Sequence, residues 1–200
     1  MNLWLIPPLT LAALAAALYL IFYWTVRRRD LVRRPVERQV GYGFKRALLI
    51  YQPSNRGRNN AIAWALARAL ARAGHTVTVN YPSPVLQYDP MEYDLLIFGG
   101  SAYMGEVGRP LKNYLSSLRF RGKKVLLFVV GELERAPEMA GLRLCVPAGN
   151  QVRSIKIRPG QEKQLSQFAL GQYEARGAVR LLLFFSFPGK IMALSEGGPM

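Results

Sequence analysis

Residues 93–115 read YDLLIFGGSAYMGEVGRPLKNYL. Residues 94–98, DLLIF, are an apolar run bounded by turn residues, the pattern of a buried strand. The polar, glycine-containing stretch GGSAYMGEVG leaves it as a loop. Residues 109–118, RPLKNYLSSL, then read as a helix with Pro110 in its first turn, where a missing N–H does little harm. The same grammar recurs upstream. Residues 46–51 form a buried-type strand, and 60–73, NAIAWALARALARA, carry apolar Ile62, Leu66, Ala69, Leu70 and Ala73 on one helical face. Gly74 ends that helix. Residues 76–80, TVTVN, and 123–130, KKVLLFVV, are two further strands. Continuous apolar strands alternating with helices predict an α/β fold, a doubly wound parallel sheet covered on both faces.

The last third has two readings. LRLCV (142–146) and VRSIKI (152–157) flank PAGNQ and suit a hairpin, and residues 161–175 read as helix. The fifth parallel strand is then either 152–157 or 179–185. The longer apolar run favours 179–185. That choice leaves no closing helix, so one sheet face is left to the C-terminal tail, a partner or the bilayer.

Residues 3–26, LWLIPPLTLAALAAALYLIFYWTV, hold no charge. As helix they would extend about 36 Å, against about 30 Å of hydrocarbon core. Trp4 marks one end, and Tyr23 and Trp24 the other. Arg27, Arg28, Arg29, Arg33 and Arg34 follow at once. Residues 1–26 are therefore expected to be a transmembrane anchor, with the N-terminus outside and the bulk of the chain cytoplasmic. Its bulky aromatic end argues against a cleaved signal peptide. Residues 27–44 are expected to be a basic juxtamembrane linker near acidic lipid head groups, and 45–200 the folded domain. A net charge of +15 agrees with an anionic partner. No DNA- or RNA-binding motif accompanies it, so nucleic acid is not expected. Cys145 is the sole cysteine and His75 the sole histidine, which excludes an internal disulfide and a cysteine metal cluster. His75 falls at the sheet end away from the strand carboxyl ends, a structural position. Nothing pairs serine or cysteine with histidine for hydrolysis, and no metal ligand set stands out.

Ligands of doubly wound sheets sit beyond the strand carboxyl ends, where strand order reverses. Three loops leave such ends: 52–59, 99–108 and 131–138. The first contains Ser54, Asn55, Arg56, Gly57, Arg58, Asn59, Asn60, Ala61, Ile62 and Ala63. This is similar to the flavodoxin phosphate loop, Ser/Thr-x-Thr-Gly-Asn-Thr-x-x-Val/Ile-Ala, matching at Ser54, Gly57, Ile62 and Ala63. Arg56, Arg58 and Asn59 stand where that pattern has Thr, Asn and Thr. Residues 93–115 resemble the same family more densely, through Tyr93, Asp94, Gly99, Tyr103, Gly105, Leu111 and Tyr114. The chain thus resembles flavodoxin-like proteins, and looks closest to the membrane-associated ones that include menaquinone-dependent protoporphyrinogen oxidase. The tail FPGKIMALSEGG (187–198) is weakly similar to the end of that group.

The resemblance implies strand order 2-1-3-4-5 and bound FMN, its phosphate in the first loop and its ring between the second and third. On chemistry alone, a helix N-terminus offers free N–H groups and partial positive charge to a phosphate. Ser54 and Asn59 bring hydrogen-bonding side chains, although Asn59 or Asn60 is equally an ordinary helix cap. Arg56 and Arg58 suit bidentate phosphate contacts, or else face solvent or acidic lipid. In the second loop Gly99, Gly100, Ser101, Ala102 and Gly105 let backbone approach a flat ligand, with Tyr103 stacking on it and Met104 packing against it. Gly131 and Glu132 would flank the ring edge from the third loop. Three readings of function remain. One is a membrane-anchored FMN protein in electron transfer or quinone-linked oxidoreduction, partnered by a quinone or a membrane redox complex. Another is a flavin-free accessory or scaffold subunit. A lipid- or nucleotide-binding module using the basic loop is a third. No catalytic side chain is singled out, because a flavin itself carries the electrons.

Overall fold

A strand that is apolar along its whole length needs cover on both faces, and the chain supplies it. The computed structural model describes residues 6–54, 57–103, 105–131 and 137–171. The strands are β1 (Arg38–Val40), β2 (Lys45–Tyr51), β3 (His75–Asn80), β4 (Leu95–Tyr103), β5 (Glu106–Val107), β6 (Lys124–Val130) and β7 (Gln151–Ile157). The helices are α1 (Ile6–Arg29), α2 (Arg58–Arg72), α3 (Arg109–Ser117), α4 (Pro137–Arg143) and α5 (Glu162–Ala169).

The sheet order is β1-β3-β2-β4-β6-β7, with β5 paired to β4 off that path. β3, β2, β4, β6 and β7 run parallel, and β1 lies antiparallel on β3. Numbered among themselves, the parallel strands give the expected 2-1-3-4-5 order. Alternate strand residues face opposite layers. Ala47, Leu49 and Tyr51 of β2 join Ile62, Leu66 and Leu70 of α2 and Leu165 and Phe168 of α5 in one core. Leu48 and Ile50 join Leu111, Tyr114 and Leu115 of α3 and Met139 and Leu142 of α4 in the other. Among the described residues both faces therefore carry helices, where the sequence reading left one face to a tail, a partner or the bilayer.

The fifth parallel strand is β7, in register with β6 from Lys124↔Gln151 to Val130↔Ile157. This corrects the preference for 179–185, which lies outside the described residues. The apolar-run criterion misled because β7 ends the described sheet path: Ile155 and Ile157 are buried while the residues between and before them are partly exposed. The expected 142–146/152–157 hairpin is also corrected. Leu142 and Arg143 end α4, which buries Glu138, Met139 and Leu142 at helical spacing. Cys145 and Val146 turn away by donating backbone N–H groups to the carbonyls of Leu142 and Arg143.

The N-terminal segment expected to be a transmembrane anchor is helical over residues 6–29, but among the described residues no helix is long and apolar enough to cross a membrane. Residues 30–40 pack on the domain. The Val36 N–H donates to Asn80 Oδ1 at 2.8 Å, the Tyr88 hydroxyl donates to Glu37, and β1 closes the flank of β3.

Gly99 has a packing reason that its sequence context hid. A Cβ there would stand 2.1 Å from the ring of Phe128, itself fully buried in the adjacent strand. Gly99→Ala is expected to cost about 1–3 kcal/mol by overpacking. A urea midpoint lowered accordingly, and partly restored by Phe128→Leu in the same chain, checks this.

Candidate functional site

The strand carboxyl ends of β2, β4 and β6 bring the three expected loops to one edge. At the first loop, Gly57 takes the left-handed conformation (φ 69°) as the residue before α2. It gives α2 no side-chain cap, and no acidic residue lies in the first turn. A helix start with this make-up suits an anion. Gly57 N–H donates to the Ser54 carbonyl at 3.1 Å, and Ser54 Oγ accepts from the Asn59 N–H at 3.3 Å. Asn55 and Arg56 lie outside the described residues, as does the Arg58 side chain.

Asn59 is fully buried. Its Nδ2 donates to the Gln52 carbonyl at 2.9 Å, and its Oδ1 accepts from Ser101 Oγ at 2.8 Å. Both ends of the amide, and the hydroxyl hydrogen of Ser101, are spent on joining the first loop to the second. Asn59 and Ser101 therefore brace the site and do not offer these groups to a ligand. Gln52 N–H donates to the Gly99 carbonyl at 2.8 Å, tightening the same junction.

The second loop is shorter than the sequence suggests. β4 continues through Ser101, Ala102 and Tyr103, then pairs back with β5 at Ala102↔Val107 and Tyr103↔Glu106. Gly105 turns this hairpin at φ 77°, and Met104 lies outside the described residues. Ser101, Ala102 and Tyr103 are half-buried, so Tyr103 stands at the edge with room for contact. Gly100 serves packing: a Cβ there would meet Val107 at 3.2 Å and Gln52 at 3.4 Å. At the third loop Gly131 donates to the Ile157 carbonyl at 3.0 Å. A Cβ on Gly131 would stand 3.1 Å from Lys156 Cε and 3.4 Å from Ala102 Cβ, so the third loop, the second loop and β7 converge there. Glu132 lies outside the described residues.

Sequence reasoning missed three features of this edge. Lys156 of β7 pairs with Glu138 of α4, and both side chains are nearly buried. Asp30, beyond α1, accepts the Arg109 N–H at 3.0 Å, and the Leu31 carbonyl accepts Gln52 Nε2 at 3.2 Å. Gln52 Oε1 and Asn60 Oδ1 are buried acceptors without a partner among the described residues. The ordinary explanation of such atoms is a ligand or water that donates to them. Of these, only Glu138 carried a sequence signal, an acidic residue just after a helix-starting proline. Tyr51, the last residue of β2, is held above the ordinary phenol range chiefly by burial and stays neutral. His75 lies at the opposite edge, its ring against the Leu70 carbonyl at 3.2 Å.

The flavodoxin domain family model matches residues 48–175. Among solved structures, the chain is similar to a short-chain flavodoxin associated with a non-canonical PDU bacterial microcompartment, at 19% identity and TM-score 0.53 over 64% of this chain and 97% of that one. It is similar to oxidised flavodoxin 2 from Bacillus cereus at 18% identity and TM-score 0.51, over 64% and 97%. It is also similar to a flavodoxin from the domain Archaea at 17% identity and TM-score 0.50, over 64% and 95%. No curated protein matches. At these identities the likeness concerns the fold.

Glu138→Gln removes the buried carboxylate charge that faces the Lys156 ammonium. A loss of about 3–5 kcal/mol is expected, read from urea unfolding. The double variant Glu138→Leu/Lys156→Met is expected to recover most of it.

Proposed function

The chain belongs to the flavodoxin domain family, and on that premise we propose that it binds FMN and transfers electrons. The observation that carries this reading is the start of α2, where left-handed Gly57 itself brings no side-chain cap and the first turn holds no acidic residue. A Cβ at Gly57 would meet nothing within 4 Å, so the cradle is open. The orphaned acceptors Gln52 Oε1 and Asn60 Oδ1 fit the polyol chain of FMN, whose hydroxyls donate. Ser54, Asn55, Arg56, Gly57 and Arg58 would hold the phosphate. Gly105, Tyr103 and Met104 would border the ring on one side, with Gly131 and Glu132 on the other. When bound, the flavin supplies one- and two-electron chemistry, and the chain supplies position and electrostatics.

The finer reading is membrane association through α1, with the domain on the cytoplasmic side and a quinone or membrane redox complex as electron partner. Its support is the exposure of Leu11, Leu14, Leu18, Leu20, Phe22 and Trp24, next to arginines that attract acidic lipid at about 1 kcal/mol each. The flavin-free scaffold reading draws on Arg56 and Arg58, which depart from the neutral phosphate loop the family resemblance leads one to expect.

Protein purified in mild detergent is expected to show the yellow absorption bands of oxidised flavin, or to acquire them with added FMN. A colourless protein that cannot be reconstituted overturns FMN binding in favour of the scaffold. In reconstituted protein, Arg58→Ala is expected to weaken FMN binding about tenfold or more, the worth of a charged hydrogen bond. Unchanged affinity in both Arg58→Ala and Arg56→Ala removes these side chains from the phosphate site.

A further inference from the structure

We infer that the carboxyl edge of the sheet, the edge of the candidate flavin site, is the face turned toward an anionic lipid surface. Asp30 and Leu31 fix that orientation. The inference rests on the membrane association proposed above and adds a direction to it.

The argument begins where α1 ends, at Arg29. The next residue, Asp30, accepts the backbone N–H of Arg109 at 3.0 Å and faces its guanidinium at 3.6 Å. Arg109 is the first residue of α3, and the residue before it, Gly108, has no side chain with which to cap that helix. Asp30 therefore serves as the cap from 79 residues away, a position where a carboxylate is favoured by the helix dipole. One residue further, the Leu31 carbonyl holds Gln52 Nε2 at 3.2 Å. Gln52 directly follows β2, and Arg109 lies two residues beyond the end of the β4–β5 hairpin. Two successive residues thus pin the end of α1 to two points on one edge.

The tether has almost no slack. A residue reaches at most about 3.6 Å, so the last residue of α1 stays within several ångströms of this edge. The opposite edge lies the length of a strand away, about 23 Å for the seven residues of β2. The charges agree with the direction. Arg27, Arg33 and Arg34 are exposed around the tether, while its acidic residue, Asp30, is committed to Arg109. Side chains from residue 10 to 24 of α1 are exposed and apolar for most of that length. Apolar helix and basic collar together match acidic lipid, not a neutral or basic protein surface. Electrons leaving this edge would then meet a carrier resident in the bilayer, not one arriving from bulk water.

The test uses full-length protein carrying Cys145→Ser and reconstituted into vesicles of zwitterionic and anionic phospholipid with nitroxide head groups. One fluorophore is attached at Val85→Cys, the other at Tyr42→Cys. Val85 is exposed and follows Pro84, which lines a groove with Val32 and Pro110 at the carboxyl edge. Tyr42 is fully exposed in the turn between β1 and β2, at the amino edge. Quenching at residue 85 is expected to exceed that at residue 42 by at least twofold, and Asp30→Asn is expected to narrow the ratio. Equal or reversed quenching in protein that floats with the vesicles overturns the orientation and leaves membrane association standing. An unchanged ratio in Asp30→Asn overturns the role given to Asp30. Protein that fails to float overturns the membrane reading, and the orientation with it.

Discussion

The side chain of Asn59 closes the gap at the point where the connections from β2 and β4 part to opposite faces of the sheet. Parallel strands that send their helices to different sides leave a crevice there, and backbone groups at its floor need partners. One buried amide gives to the Gln52 backbone carbonyl and takes the side-chain hydroxyl of Ser101 from the neighbouring strand. With that brace in place, Gln52 is held against Gly99, and Gly100 can pack against both Gln52 and Val107. The two loops then behave as one wall. The helix start at Gly57 is consequently presented by a rigid junction, which is what recognition of a small anion at a helix N-terminus requires.

The sheet and four of its parallel strands were legible in the sequence because buried parallel strands are apolar from end to end, and their helices carry a 3.6-residue stripe. The fifth was misread for the same reason. β7 carries Arg153 and Lys156 among its apolar residues, since only part of its surface needs burial, and a longer apolar run downstream outcompeted it. Residues 142–146 alternate in a way that imitates a strand, yet Met139 and Leu142 belong to a helical face that includes Glu138. A buried carboxylate within an apolar face is invisible until its partner, Lys156, is placed by tertiary structure.

The candidate site was legible as loops and less so as roles. Position in the fold identified Ser54, Gly57, Tyr103, Gly105 and Gly131 at one edge. Spacing could not say that Gly99 exists to admit the Phe128 ring, or that the amide of Asn59 is consumed internally. A glycine or asparagine in a loop reads the same whether its neighbour is a ligand or another side chain. Asp30 and Leu31 were beyond reach for a different reason. Their partners, Arg109 and Gln52, are remote in sequence, and a stretch rich in arginine and proline reads as solvated chain.

β1 has a further effect, on colloidal behaviour. Three residues, Arg38 to Val40, pair antiparallel with Val77 to Val79 and so occupy one flank of the sheet. An uncovered strand presents a row of N–H and C=O groups that templates pairing with another chain. The covering segment is held at its far end by the contacts of residues 30–37, so whatever loosens those contacts also lifts the cover. Damage to the N-terminal strap would then surface first as self-association at high protein concentration, with the core still folded and the unfolding midpoint little changed.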